Sequence, residues 1–179
     1  MGGSIFTGGV VEAEANATGR LAELYARHLT SSRRLAYLVT GDFALAEDLV
    51  QDAFLHVFGR FQDLRDPGAF EAYLRRTVVN LSRKHFRRRK VERAYLERLT
   101  GSVSVEAPGR DVAGEQALRR ALLALPLRQR TAIVLRFYED LSERETAELL
   151  RCRPGTVKSL VSRGMEGLRS SIDSEGEPK

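Results

Sequence analysis

With 179 residues, 42% of them apolar, the chain has material for one ordinary domain or two small ones, which excludes a disordered tail. Its 29 basic and 24 acidic residues give a net charge of +5 and a pI near 9.7, a bias towards polyanionic partners that says nothing about fold. The single cysteine, Cys152, excludes an internal disulfide framework and a four-cysteine zinc site, and fits a reducing compartment.

The opening stretch MGGSIFTGGVVEAEANATG lacks a basic n-region, and its apolar run is short and broken by glycines. Residues 1–18 are therefore read as a flexible tail and not as a signal peptide. No apolar run approaches the roughly 20 residues that span a bilayer, so the expectation is a cytoplasmic protein without membrane insertion.

From Leu21 to Phe61 apolar residues recur at three- and four-residue steps, which predicts helices, with a Gly41-Asp42 break after which Asp42 caps the next one. In the stretch AEDLVQDAF, Glu47, Asp48, Gln51 and Asp52 form an acidic stripe opposite Leu49, Val50 and Phe54. In a basic protein that stripe suits a basic protein partner; a solvated acidic face has the same spacing.

Pro67-Gly68 breaks the pattern again before a helix whose apolar positions run from Phe70 through Tyr73, Leu74, Thr77 and Val78 to Leu81. Beyond Leu81 the apolar stripe stops, and six permanent cations occupy the eight positions from Arg83 to Lys90. Such a segment is expected to project past the core into solvent or against a partner. Phosphates would relieve its self-repulsion, with Asn80 and Tyr73 nearby to meet a base; a solvated helix end is the plain alternative.

The segment TGSVSVEAPGRDVAGE has small residues, a Pro-Gly and no helical period, and reads as a flexible linker over residues 99–114. It separates one helical unit, residues 19–98, from a second, residues 115–172, before a short tail at 173–179. At most about 55 Å long when extended, such a tether does not fix the separation of the two units.

In the second unit Pro126 opens a helix through Ile133, Val134 and Phe137, and Ser142 with Glu145 forms a capping box for the next. After the turn RCR, Pro154 opens a helix with Val157, Leu160, Val161 and Leu168 inward and Thr156, Lys158, Ser159 and Arg163 outward. Two helices joined by a tight turn, the second presenting hydroxyls and cations at its amino end, suit the major groove. Charge divides the same way: residues 139–148 hold five acids and one base, residues 151–169 five bases and one acid. An ordinary helical hairpin with a solvated face remains the alternative. No strand alternation appears, so the class is all-α.

His28, His56 and His85 are spaced for no metal pair, and no phosphate loop or nucleophile elbow is present, so neither a metal, a cofactor nor catalysis is expected.

Taken together, LTGDFALAEDLVQDAFLHVF, AYLRRTVVNLSRKHFRRR, ALPLRQRTAIVLRFYEDLSERETAELL and PGTVKSLVSR resemble an extracytoplasmic-function sigma factor of the sigma-70 family, actinobacterial type, over residues 20 to 170. The resemblance implies two small helical domains on a flexible linker, a sigma-2 bundle and a sigma-4 helix-turn-helix. It implies as partners core RNA polymerase, through the β′ clamp helices and β flap, promoter DNA and an anti-sigma factor. By position, Asp48, Leu49, Gln51 and Asp52 resemble the polymerase-docking surface. The Asp63 to Phe70 loop resembles the segment that captures an extruded −10 base. Tyr73, Asn80, Arg83, Lys84, Arg87 and Arg88 resemble the −10 element reader, and Arg153, Thr156, Lys158, Ser159 and Arg163 the −35 reader.

The chain departs from that pattern at Arg151 and Arg153, where members commonly carry Gly and Ser, and at Leu160, where Arg is frequent. Gly164 and Gly167 are expected to cost their helix about 1 kcal/mol each relative to Ala.

Overall fold

Seven helices account for the residues that the computed structural model describes, 8–59, 67–100 and 113–175. They are α1 (Gly8–Thr40), α2 (Phe43–Phe58), α3 (Pro67–Thr100), α4 (Ala113–Ala124), α5 (Leu127–Ile133), α6 (Glu143–Leu150) and α7 (Pro154–Glu175). No strand occurs among the described residues. Helix α1 begins at Gly8, well inside the stretch read as a tail. The linker's residues 101–112 lie outside the described residues.

The apolar repeats of the first half close a three-helix core. Leu35 and Val39 of α1 meet Val50, Phe54 and Val57 of α2 and Phe70, Leu74 and Val78 of α3, all nearly inaccessible. Phe54, Phe58 and Phe70 form an aromatic cluster with Tyr25 at its edge, ring centroids 4.7–6.4 Å apart. The break between α1 and α2 works as the sequence predicts: Gly41 takes φ +76°, and the Asp42 carboxylate accepts from the Leu45 amide at 3.1 Å.

In the second half, α5 passes into a π-helical turn over Val134–Tyr138. The wider turn shifts the helical phase, and within it Phe137 is 63% exposed while Val134 and Leu135 stay buried. The capping box at α6 is complete: the Ser142 hydroxyl accepts from the Glu145 amide and the Glu145 carboxylate accepts from the Ser142 amide. Those bonds hold the Glu145 carboxyl below its ordinary pKa.

The cost expected of the α7 glycines is offset by packing. A Cβ on Gly164 would stand 2.6 Å from Ile133 Cδ1, and one on Gly167 2.7 Å from Leu125 Cδ2. Their bare backbones let α7 lie close against α4 and α5, so Ala at either position would have to displace a core side chain.

At Arg151 the sequence works against the fold. It sits in the left-handed region, φ 52° and ψ 56°, at the C-cap of α6, where glycine carries no steric penalty. Arg151→Gly is expected to stabilise the chain by about 1 kcal/mol and to raise its thermal midpoint by about 2–4 °C. Calorimetry showing no rise would mean that contacts of the Arg151 side chain offset its strain.

The two halves are in contact. Ala132, Val134, Leu135, Leu141, Leu150 and Leu160 join the apolar cluster of the first half, and Arg75 Nε lies 2.5 Å from Glu139 Oε2 with both side chains largely shielded. Arg119 of α4 stacks over Tyr37 and donates to the Gly41 carbonyl at 3.1 Å, placing a cation beyond the C-terminal end of α1. Leu123 seats on Gly41, where an added Cβ would stand 2.3 Å from its Cδ2. Gly41→Ala is expected to cost about 1–3 kcal/mol, from backbone strain and this clash. Adding Leu123→Ala should remove the clash share alone, and a denaturant series that finds the two changes additive would show that Leu123 does not press on Gly41.

Candidate nucleic-acid interface

Helix α3 outlasts the core. Val79 and Ser82 are its last fully buried positions, and every residue from Arg87 to Tyr95 is exposed, as the end of the apolar stripe predicts. Lys84 and Arg87 stand in solvent, and Arg88 pairs with Glu92 one turn on, an exposed pair that adds little to stability. Arg83 turns instead towards the second half and donates to the Leu150 carbonyl at 3.3 Å, supplying a cation at the C-terminal end of α6.

Of the six residues expected to read the −10 element, all but Arg88 are divided between two concavities. Asn80, Arg83, Lys84 and Arg87 line a cleft shared with α5 and Arg151. Tyr73 lines a second groove with Arg75, Arg76, Glu145 and Glu148, on the side of α6. The base-capturing segment, read as Asp63 to Phe70, falls largely on residues 60–66, outside the described residues.

The helix-turn-helix is built as the sequence predicts. Helix α6, the turn at Arg151–Arg153 and α7 pack through Ala147, Leu150, Val157 and Leu160, leaving Arg153, Lys158, Ser159 and Arg163 exposed and Thr156 half-buried. Ser159 Oγ donates to the Gly155 carbonyl at 3.0 Å and Arg163 Nε to the Ser159 carbonyl at 3.2 Å, so both side chains lie along the helix surface. Arg153 supplies no acceptor at the position before Pro154, where a hydroxyl would cap α7.

On α2, Asp48, Gln51 and Asp52 are exposed together, whereas Leu49, expected beside them, is only 6% exposed and supports the helix from beneath. Helical spacing gives the reason: Leu49 shares the inward face with Ala46, Ala53 and Val57. Leu55, 69% exposed, stands on the acidic face at i+3 from Asp52 and i+7 from Asp48. Sequence reasoning passed over it as one more apolar residue, although its period sets it with the acids and not with the core. Glu47 is engaged by Arg33 of α1.

Among the described residues no group of three or more His, Cys, Asp or Glu side chains is placed to hold a metal, and no helix is long and apolar enough to cross a membrane.

A helical unit with a basic projecting helix, followed by a helix-turn-helix unit with a cationic outer face, defines a DNA-binding protein of the transcription machinery. The models of Sigma-70 region 2 and of Sigma-70, region 4 match residues 24–92 and 115–168. The chain is 36% identical over 146 residues to an RNA polymerase sigma-E factor of Streptomyces avermitilis, covering 82% of this chain and 79% of that one. It is 38% identical over 149 residues to its counterpart in Streptomyces coelicolor, covering 80% and 78%. To the ECF RNA polymerase sigma factor SigW of Bacillus subtilis it is 31% identical over 154 residues, covering 78% and 81%. The chain belongs to the extracytoplasmic-function RNA polymerase sigma factors of the sigma-70 family.

Two solved structures share the fold at 24% identity. The sigma factor RpoE of Bartonella quintana, in complex with the anti-sigma factor NepR, superimposes with a TM-score of 0.68 over 85% of this chain and 96% of that one. CnrH, in complex with the cytosolic domain of CnrY, does so with a TM-score of 0.62 over 93% and 97%.

Proposed function

We propose that this sigma factor acts in the cytoplasm without catalysis of its own, docking on core RNA polymerase and directing it to promoters that carry −10 and −35 elements. The first unit, residues 19–98, presents Asp48, Gln51 and Asp52 to the β′ clamp helices, with Leu55 as their apolar neighbour. Tyr73, Asn80, Arg83, Lys84, Arg87 and Arg88 contact the −10 element and aid opening of the duplex. The second unit, residues 115–172, meets the β flap and reads the −35 element with Arg153, Thr156, Lys158, Ser159 and Arg163. An anti-sigma factor restrains the chain when it is not needed.

The observation that carries this reading is the coexistence on one chain of two separate cationic faces, on α3 and on α7, with one acidic face on α2. Cations neutralise phosphates on DNA, whereas exposed carboxylates repel DNA and suit a basic protein surface. In the closed arrangement Arg83 is bonded to the Leu150 carbonyl and Tyr73 faces α6. Reading the −10 element therefore requires the halves to part, and polymerase docking supplies that separation.

The test is run-off transcription with cognate core polymerase over a promoter library. Adding the chain is expected to give discrete start sites at templates sharing two spaced elements; transcripts unaffected by the chain would refute the reading.

A further inference from the structure

Across the cleft between the halves, Arg83, Lys84, Arg87 and Lys90 of α3 face Arg128 of α5 and Arg151 of the helix-turn-helix turn. The cleft measures about 830 Å³, and no acidic side chain lines it. Elsewhere the halves meet through attraction: the Arg75–Glu139 pair, Arg119 on the Gly41 carbonyl and a shared apolar core. Here like charges line one cleft, and their repulsion is screened only as far as water fills it. Burial foremost, then Arg128, Arg151 and Arg87, pulls the Arg83 guanidinium below its ordinary pKa. The closed form thus gathers six cations at one cleft whose lining holds no counter-charge.

The cleft also has an apolar wall. Phe86 and Leu127 line it, and the Phe86 ring is backed by the buried Arg130 guanidinium, 5.7 Å from its centroid. A flat aromatic surface next to guanidinium forks is what a nucleobase with attached phosphates requires, the base stacking and the phosphates taking the forks. The volume lies within the range of small-molecule sites, about 300–1,000 Å³. A lone phosphate would leave most of the six cations uncompensated, whereas a polyphosphate meets several at once.

We propose that the cleft binds a nucleoside polyphosphate, which bridges α3 to α5 and Arg151 and holds the free sigma factor closed. Separation of the halves dismantles the site, since neither half alone supplies all its cations. Asn80, Arg83, Lys84 and Arg87 are then unavailable to DNA; that competition rests on their proposed −10 role, but the binding itself does not.

The test adds ATP to the purified full chain, without polymerase or promoter, and follows it by titration calorimetry and small-angle X-ray scattering. Saturable binding at one site, tighter than that of inorganic triphosphate, is expected together with a smaller radius of gyration. Arg128→Ala combined with Arg151→Gly should weaken binding about tenfold or more, a loss of about 1.4 kcal/mol per decade, with helix content unchanged by circular dichroism. Neither residue belongs to the proposed polymerase, −10 or −35 contacts, so run-off transcription should survive in that variant. Absence of saturable binding, affinity unchanged in the double variant, triphosphate binding as tightly as ATP, or single-stranded DNA contracting the chain in ATP's place would each overturn the proposal. None of these outcomes touches the promoter reading, which the transcription assay tests by itself.

Discussion

Replacing Asp48 and Asp52 together by arginine is expected to abolish co-purification of core RNA polymerase with the chain while leaving the fold intact. Both carboxylates stand in solvent on α2, and the helix is anchored from its other face by Ala46, Val50, Ala53, Phe54 and Val57. His56 Nδ1 bonds the Asp52 backbone carbonyl at 2.7 Å, and a new side chain at Asp52 does not remove that bond. Close charge pairs across protein interfaces couple by about 1.5–7 kcal/mol, so reversing two of them is expected to weaken docking by more than about a hundredfold. Glu23→Arg, an exposed acid on α1, serves as the charge control and should retain polymerase. Undiminished co-purification of the double variant, or equal loss in the control, would remove α2 from the docking surface.

Lys158→Ala is expected to depress transcription by about tenfold or more at promoters that depend on a −35 element, and little elsewhere. A side chain reading a base edge in the major groove is worth about 1–3 kcal/mol of discrimination. Lys158 is exposed on the first turns of α7, beside Ser159 and away from the buried Val157 and Leu160. The comparison that decides its role is a set of templates with altered −35 sequences. If the variant loses equally on all of them, Lys158 contacts a phosphate and not a base.

Helix positions were legible because the chain marks them locally: Asp42 and Ser142 as caps, Gly41 as a left-handed stop, Pro154 at a helix start, and apolar residues at helical spacing. Relations between distant segments were not. A flexible linker reading of residues 99–114 left the two units apart, yet Glu139 meets Arg75 and Leu123 meets Gly41 across long stretches of chain. Nothing at those positions signals a partner, because an arginine bonded to a distant carbonyl and one in water have the same sequence. Within the acidic run the helical spacing already set Leu49 opposite the acids; the resemblance put it on the docking face, and the phase shared with Ala46, Ala53 and Val57 keeps it inward while Leu55 stands out. The π turn after Ile133 was illegible, since one extra residue shifts the phase without a breaker to announce it. Gly164 and Gly167 read as weaknesses until the neighbours that need their space were in view.

A sigma factor whose halves close on each other must take the spacing of its two DNA contacts from polymerase. The most direct measurement is a footprint titration on promoter DNA at near-physiological ionic strength, with the chain alone and with the chain on core polymerase. Protection of two spaced elements only in the presence of polymerase is the predicted result. Protection of the same two elements by the free chain, at the same concentration, would contradict it.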